Sequence, residues 1–600
     1  MIVPMKKVTI LCLASARDDA LERLRDLGVV HLHPIRPPEG DEIEAARQVA
    51  APGRRALETL PRHAARGPSG RPPAEIVEAI WARIHERKEL EERLDERRRE
   101  RQRIEPFGAF EPAAARALLA RGLCLRLYRC DPRTEPRAPE GAVLRVLRRA
   151  KDATYFVVLG PTDATVVGEA TEIRMPEVGL VEVDRQIAEI EAALEANARA
   201  LAEYAGDRAA VAEYVAAAED RLRFLEARAG MGAAERVVWL RGFCPVDAMD
   251  GLRAAAAEAG WAVLAEDPAE NDPVPTLIRH PWWVRPIRPV FDLIGILPGY
   301  REVDIGAVFL LFFSLFFAML VGDAGYGLLF LGLTLWARRR IAPRRHPGIP
   351  LMMILSVATI VWGALTGSWF GAPRLPAPLA ALRCEWLAPA DPKLGQQRIM
   401  GLSFLIGAIQ LSIAHAWNIY RQRRSLQALA QLGWLGMTWT MYFVAGAMVL
   451  GHTFPRVMGA VFVTSVALIV LFMTPPARLK TEWFNHVMLP LNLVTNFVDV
   501  VSYIRLFAVG TAGFAMAQAF NNIVLGLGRA GWIQGLLAAV ILFMGHALNI
   551  ALSAMGVIVH GVRLNTLEFA THLGMEWSGI PYRPFAHVRP AGGTLAESGR

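Results

Sequence analysis

The stretch Val501-Ser-Tyr-Ile-Arg505-Leu-Phe-Ala-Val-Gly510 sets an arginine inside a run that otherwise belongs in hydrocarbon. A guanidinium keeps its proton in proteins, and placing one at the bilayer centre costs roughly 2.5–3.5 kcal/mol on the insertion scale. So costly a residue marks a functional position. Arg563 follows in the next apolar segment, and the pair points to a buried pathway for charge.

Outward from this stretch, residues 305–562 form a succession of apolar runs. Eight spans are expected, at 305–320, 322–337, 351–371, 399–418, 430–450, 457–473, 487–525 and 532–562. Only Val-Gly-Asp-Ala-Gly-Tyr-Gly, Val321 to Gly327, separates the first two. Loops with Arg338, Arg339, Arg340, Arg344, Arg345, Arg421, Arg423, Arg424, Arg478 and Lys480 alternate with loops holding Arg374, Arg383, Lys393, Arg398, Arg456 and Arg529. Ten positive charges against six put the first set, and both termini, in the cytoplasm.

Residues 1–280 read instead as a soluble arm rich in Arg, Glu and Ala. Strand–helix–strand patterns occupy Lys7–His33 and Val237–Leu264, and a second α/β segment covers Leu123–Ile173. Pro37–Pro73 has loop-like composition with room for short helices. The clearest periodicity runs Ile187, Ile190, Leu194, Asn197, Leu201, Tyr204, Arg208, Val211, Val215, Ala218, Leu222, Leu225. Such a seam predicts a coiled-coil helix over 181–229, its core about 58 Å long at ~1.5 Å per residue, with helix 76–104 as antiparallel partner. A plain helical bundle is the alternative. Residues 281–304 are a linker, 305–570 the membrane domain and 571–600 a cytoplasmic tail. The expected fold class is thus an α-helical polytopic membrane domain behind α/β lobes bridged by an antiparallel coiled coil.

Other classes lack support. A net charge of +8, spread over helices and loops, does not indicate nucleic acid. Five scattered cysteines imply neither disulfides nor zinc, and no cofactor or metal is expected. No Gly-Lys dipeptide occurs, so no Walker A loop exists. His31 and His33 read as core or surface residues of a short strand, and Asp323 reads as satisfied locally at a helix break.

Two polar stripes remain. In the last span His546, Asn549, Ser553, His560 and Arg563 share one helical face, as pathway or as interhelical glue. In the seventh, Asn492, Asn496, Asp499 and Tyr503 line a face beside Ser502. Arg505 lies off that line, at the head of Ala508, Ala512, Ala515 and Ala519, a stripe that lets another helix approach closely. It is either presented to a tightly packed partner or paired with Asp499 or another acid of its own chain.

At these residues the chain resembles the large membrane subunit of rotary V-type and archaeal-type ATPases, called subunit I in bacteria and subunit a elsewhere. The resemblance spans nearly the whole length. It lies in Met5–Val8, Leu27–Leu32, Leu240–Pro245, Phe312, Phe313, Phe316, Phe317, Gly322–Gly327, Thr366–Gly371, Ser502–Ala508, His560–Leu564 with Glu568, and Pro581–Phe585. It implies a stator subunit without a nucleotide site, in a bacterial or archaeal plasma membrane. Its implied partners are a proteolipid ring, peripheral-stalk E/G subunits, a central-stalk adaptor and lipid. Arg505 then corresponds to the arginine facing the ring and Arg563 to the second arginine of that interface. Asn492, Asn496, Asp499, Ser502, Tyr503, His546, Asn549, Ser553, His560 and Glu568 are candidates for lining half-channels. Gly513 and Ser553 stand where some relatives carry a histidine and a glutamate, so those two roles are not transferred. Ile305 likewise interrupts the family's usual entry to the first span. The rival readings are a secondary transporter with a regulatory domain, which predicts paired broken helices in inverted repeats, and a non-transporting scaffold, which predicts that Arg505 tolerates Gln or Leu.

Overall fold

The computed structural model describes residues 1–61, 67–161, 170–340, 348–475, 480, 483–527 and 531–588. Arg344, Arg345, Arg478 and Arg529 of the charge count, and the tail from 589, lie outside the described residues. The chain divides into two compact units. One comprises Lys7–Cys244, Ala248–Ala265 and Pro584–Arg600; the other comprises Met1–Lys6, Pro245–Asp247 and Glu266–Arg583.

In the first unit, the two distant strand–helix–strand segments build one sheet. Its five strands are Met5–Leu13, His31–His33, Val237–Pro245, Ala262–Glu266 and the short Gly232–Ala234, which pairs with Val237–Pro245; Val237–Pro245 itself lies between Met5–Leu13 and His31–His33. His31–His33 runs antiparallel to it, with His31 opposite Phe243 and His33 opposite Arg241. Helices Arg17–Leu27 and Met249–Ala259 bury Leu21, Leu24 and Leu252 against Val8, Ile10 and Leu240. Residues of both segments share one core. From the tail, Phe585 packs into this core and its N–H donates to the Val30 carbonyl. A second, antiparallel sheet of Leu123–Cys130, Val143–Arg149, Thr154–Pro161 and Ala170–Ile173 stacks Tyr128 on Phe156.

The long seam is helical but interrupted. Helices Leu180–Glu203 and Arg208–Ala229 flank a 3₁₀ turn at Tyr204–Asp207. The first pairs antiparallel with Pro73–Ile104, joined by Arg101–Asp184 (2.7 Å) and Arg98–Glu191 (2.8 Å). The second pairs with Asp41–Thr59, a helix formed where the composition reads as loop despite Pro52 and Gly53. Gly53 is what permits it: a Cβ there lies 2.8 Å from a Val215 methyl. Leu57, Leu60, Ile76, Ile80, Leu201, Val211 and Val215 form the common core where the four helices meet. The single coiled-coil pair is therefore replaced by two helix pairs in series. The polar seam positions mark the join: Asn197 donates to the Arg83 carbonyl and to Glu86, and Arg208 donates to the Leu57 and Leu60 carbonyls that end Asp41–Thr59.

The second unit is the apolar bundle. Each of the eight runs is helical, yet among the described residues five helices are long and apolar enough to cross a membrane, six if the bent pair counts as one span. Gly306–Val321 and Ala324–Arg340 turn through 120° at Gly322, which takes φ +69°. At 16 and 17 residues each reaches only about 25 Å at ~1.5 Å per residue, short of a ~30 Å core. Arg456–Phe472 is similarly short. Several boundaries differ from the sequence expectation: the helix of the third run ends at Thr366 and that of the fourth begins at Pro392. The seventh run breaks at Tyr503 into Leu489–Ser502 and Ile504–Gly526, and the eighth continues beyond 562 to Leu573. Residues 281–304 are packed rather than free, with Val284, Ile287, Val290 and Phe291 inside the bundle core. Ile580–Pro581, from the tail, pairs in parallel with Pro275–Thr276.

Candidate functional site

Arg505 sits in the first turn of Ile504–Gly526, directly after the break at Tyr503. Its Nε donates to the Ser502 carbonyl at 2.9 Å, one of those left unpaired where the preceding helix stops. Its Nη2 donates to Glu568 Oε1 at 2.6 Å. The acid is only 5% exposed and the arginine 22%, so a mostly desolvated pair joins the two helices. Arg563 Nε approaches the same Oε1 at 3.5 Å but stays 57% exposed. Glu568 Oε2 is buried without a hydrogen-bond partner among the described residues. Of the two pairings open to Arg505 inside its own chain, the structure selects Glu568 over Asp499.

Glu568 faces inward because the last helix is not α-helical throughout. Val557–Gly561 and Leu564–Phe569 form π-turns, which widen the helix and re-aim the side chains that follow. The five-residue face expected from α-helix spacing is split accordingly: Asn549 and Ser553 are buried, His560 is half-buried with Nδ1 unpartnered, and Arg563 turns outward.

Two polar chains hold this end of the bundle. Tyr503, fully buried, donates to Gln410 Oε1 (2.8 Å), and Gln410 donates to Asn565 (2.9 Å). Gly407 makes room for the phenol, since a Cβ there lies 2.6 Å from its ring. In the other chain Asp499 pairs with His572, His572 with His415, and His415 with Gln431, each step 3.0 Å. From the other predicted stripe, Asn496 donates to Thr438 and Ser502 to the Asp499 carbonyl, whereas Asn492 is exposed.

A separate cluster lies farther along. Gly513 is eight residues from Arg505, roughly 12 Å along the helix. Its carbonyl accepts from Asn549, which also donates to Tyr326 Oη (3.0 Å); that hydroxyl lies 2.6 Å from His546 Nδ1. Asp323 anchors the cluster, as its carboxylate accepts from Ser368 Oγ and from the N–H groups of Gly325, Tyr326, Phe370 and Gly371. Its local satisfaction at the helix break agrees with the sequence reading.

Ala508, Ala512, Ala515 and Ala519 are all exposed in this chain. With Phe514, Ile523, Val540, Phe543, Leu548 and Met555 they leave a broad face of the last two helices uncovered. Sequence reasoning missed Gln410, Asn565, His415 and His572. The signal was available: Asn565, Glu568 and His572 recur at three and four, and Gln410 and His415 are polar residues inside an apolar run.

No family model matches the chain. It is 33% identical to "V-type ATP synthase subunit I 1" of Treponema pallidum, over 98% of this chain and 100% of that relative. It is 30% identical to "V-type ATP synthase subunit I" of Borreliella burgdorferi, with the same coverage. "A-type ATP synthase subunit I" of Methanocaldococcus jannaschii is 24% identical over 54% of this chain and 50% of its own length. A solved structure titled as the cytoplasmic N-terminal domain of subunit I, homolog of subunit a, of V-ATPase matches 43% of this chain and 99% of its own at 16% identity. Its TM-score of 0.21 is too loose to carry an argument.

Proposed function

Given that the chain belongs to the V-type and A-type ATP synthase subunit I family, the membrane subunit of a rotary ATPase, we propose that it is the stator that shapes two ion half-channels against a ring of proteolipid subunits. The observation that carries this is Arg505 itself: a permanent cation in an apolar helix, mostly desolvated, at the head of an exposed alanine stripe.

A carboxylic acid on each ring subunit crosses the hydrocarbon neutral, with its H⁺ or Na⁺ bound. Close to Arg505 the ionised form is favoured, because an opposite charge a few ångströms away lowers the cost of ionisation. The ion leaves into one half-channel and another enters from the opposite one. Arg505 does not relay protons, since it never gives one up; it separates the two paths. Glu568 keeps the guanidinium compensated between passing ring subunits, and Arg563, beside the same carboxylate, compensates Glu568 when Arg505 turns to a ring acid, so no unpaired charge stays buried. Asp499, Ser502, Tyr503 and His560 line the path at the Arg505 end, and His546, Asn549 and Ser553 the other. The membrane field supplies about 2.3 kcal/mol per charge per 100 mV.

The eight apolar runs serve as the membrane domain, with both termini on the cytoplasmic side, as the loop charges favour. The arm ties this domain to peripheral-stalk E/G subunits and a central-stalk adaptor, and its serial helix pairs resist torque. The chain contributes no nucleotide site. In reconstituted complex, Arg505→Ala abolishes ATP-driven ion pumping while the complex still copurifies with its ring; full coupled transport by that variant overturns the reading.

A further inference from the structure

The chain Gln431–His415–His572–Asp499 joins four helices at one end of the bundle: Gln427–Leu450, Pro392–Arg421, the C-terminal turn Ala570–Leu573 and Leu489–Ser502. Its middle is deeply buried, with His415 3% exposed and the His572 side chain 10%. Asn418, on the same helix as His415, also donates to the His572 carbonyl at 2.8 Å.

Counting donors limits the protons the chain holds. Asp499, as a carboxylate, accepts from His572 Nε2–H, which leaves His572 Nδ1 facing His415 Nε2 at 3.0 Å. One hydrogen must lie between these two nitrogens. With the Gln431 carbonyl facing His415, Nδ1 of His415 is a donor too, and the imidazoles together carry three hydrogens and one positive charge, balanced by Asp499. With the Gln431 amide turned over, its NH₂ donates to His415 and both rings are neutral, again with every contact made. These two states differ by one proton and a half-turn of one amide. A second added proton has no place: both facing nitrogens become donors and two cations meet across the contact.

We propose that this chain is an acid-released clamp on the end of the last helix. It stays closed while the two imidazoles share one extra proton or none, and opens when both are charged. The charged and titratable groups around it are Asp499 on one neighbouring helix, His415 on another, and Glu568 on its own helix, one turn before His572. Tyr503, Arg505 and Arg563 stand near Glu568, and Gln427–Leu450 brings the uncharged Gln431. Opening frees the turn that follows Glu568, so the clamp sets the pH below which Glu568 ceases to be held beside Arg505. This regulatory role rests on the reading of Arg505 as the ion-path residue; the clamp itself does not.

The test is hydrogen exchange by mass spectrometry on the purified whole complex, comparing peptides that cover 564–575 at pH values descending from neutral into strong acid, corrected for the intrinsic pH dependence of exchange. Wild type is expected to exchange several-fold faster in this segment on acidification, with peptides from the arm unchanged. His415→Gln keeps a neutral donor toward His572 at every pH and removes the acid response. Asp499→Asn, which lacks the anion that stabilises added protons, moves the response to lower pH. No acid response in wild type, or the same response in both variants, overturns the clamp. Because the readout does not depend on transport, ion pumping by Arg505→Ala tests the proposed function separately.

Discussion

In the arm, Arg185 pairs with Glu182 and Glu189 at 2.6 and 2.7 Å while its side chain stays 61% exposed. In the bundle, Arg505 meets Glu568 at the same 2.6 Å, with the acid 5% exposed. Equal distances conceal unequal consequences. At the surface, water screens each charge and readily replaces the partner, so the pair adds little. Inside the bundle the pair has lost its water, and each member depends on the other for compensation. The Arg185 pairs in the arm therefore describe solubility and helix register, whereas the Arg505 pair in the bundle describes a site.

The contrast is most exposed to failure at Glu568. Removing the cation with Arg505→Met is expected to cost up to about 3–5 kcal/mol in a detergent-based unfolding titration, because it leaves the buried carboxylate with only the more distant, exposed Arg563 beside it. The double variant Arg505→Met/Glu568→Leu should recover most of that. A single variant as stable as wild type means that the pair is not what joins the two helices.

Tyr503→Phe extends the contrast to an uncharged contact within the bundle. It strips Gln410 Oε1 of its donor in a buried place and should cost about 1–3 kcal/mol by the same titration.

Asp304, just ahead of the first apolar helix, gives a pH-dependent version. Burial pushes its carboxyl up, but the His280 imidazole 3.4 Å away, the N-terminal ammonium and a hydrogen bond from the Gly306 N–H outweigh burial and hold it well below the usual carboxylate range. A folded-state pKa below the unfolded value means its stabilising contribution is complete above about pH 4 and fades as pH falls further. Asp304→Asn should thus be less stable than wild type at neutral pH and converge with it in strong acid, measured as Tm against pH. Arg185→Ala closes the series, with no change expected in Tm at low or high salt.

The membrane half was legible because hydropathy over about twenty residues needs no neighbours to interpret it, and an arginine among Ile504, Leu506 and Phe507 is conspicuous on cost alone. Glu568 was legible only as a candidate lining residue. Its pairing depends on π-turns at Val557–Gly561 and Leu564–Phe569, which carry no periodic signature and shift the face by fractions of a turn. Asp41–Thr59 was obscured by Pro52 and Gly53, residues that argue locally against a helix, although Gly53 is where Val215 packs. The Ile187–Leu225 seam announced a buried stripe correctly, since none of its twelve positions is exposed. It did not announce that two successive partners cover it.

Residue order by itself determined which segments turn apolar faces inward, where a charge sits at odds with its surroundings, and that an alanine stripe leads away from Arg505. These follow from transfer free energies and helical geometry, which act over a few turns of chain. Tertiary structure alone decided that Lys7–His33 and Val237–Leu264 share one sheet, that Glu568 rather than Asp499 neutralises Arg505, and that His415 and His572 meet. Those contacts join residues 63 to more than 200 positions apart. Their partners are selected by the shape and donor count of a packed interior, which no local pattern records.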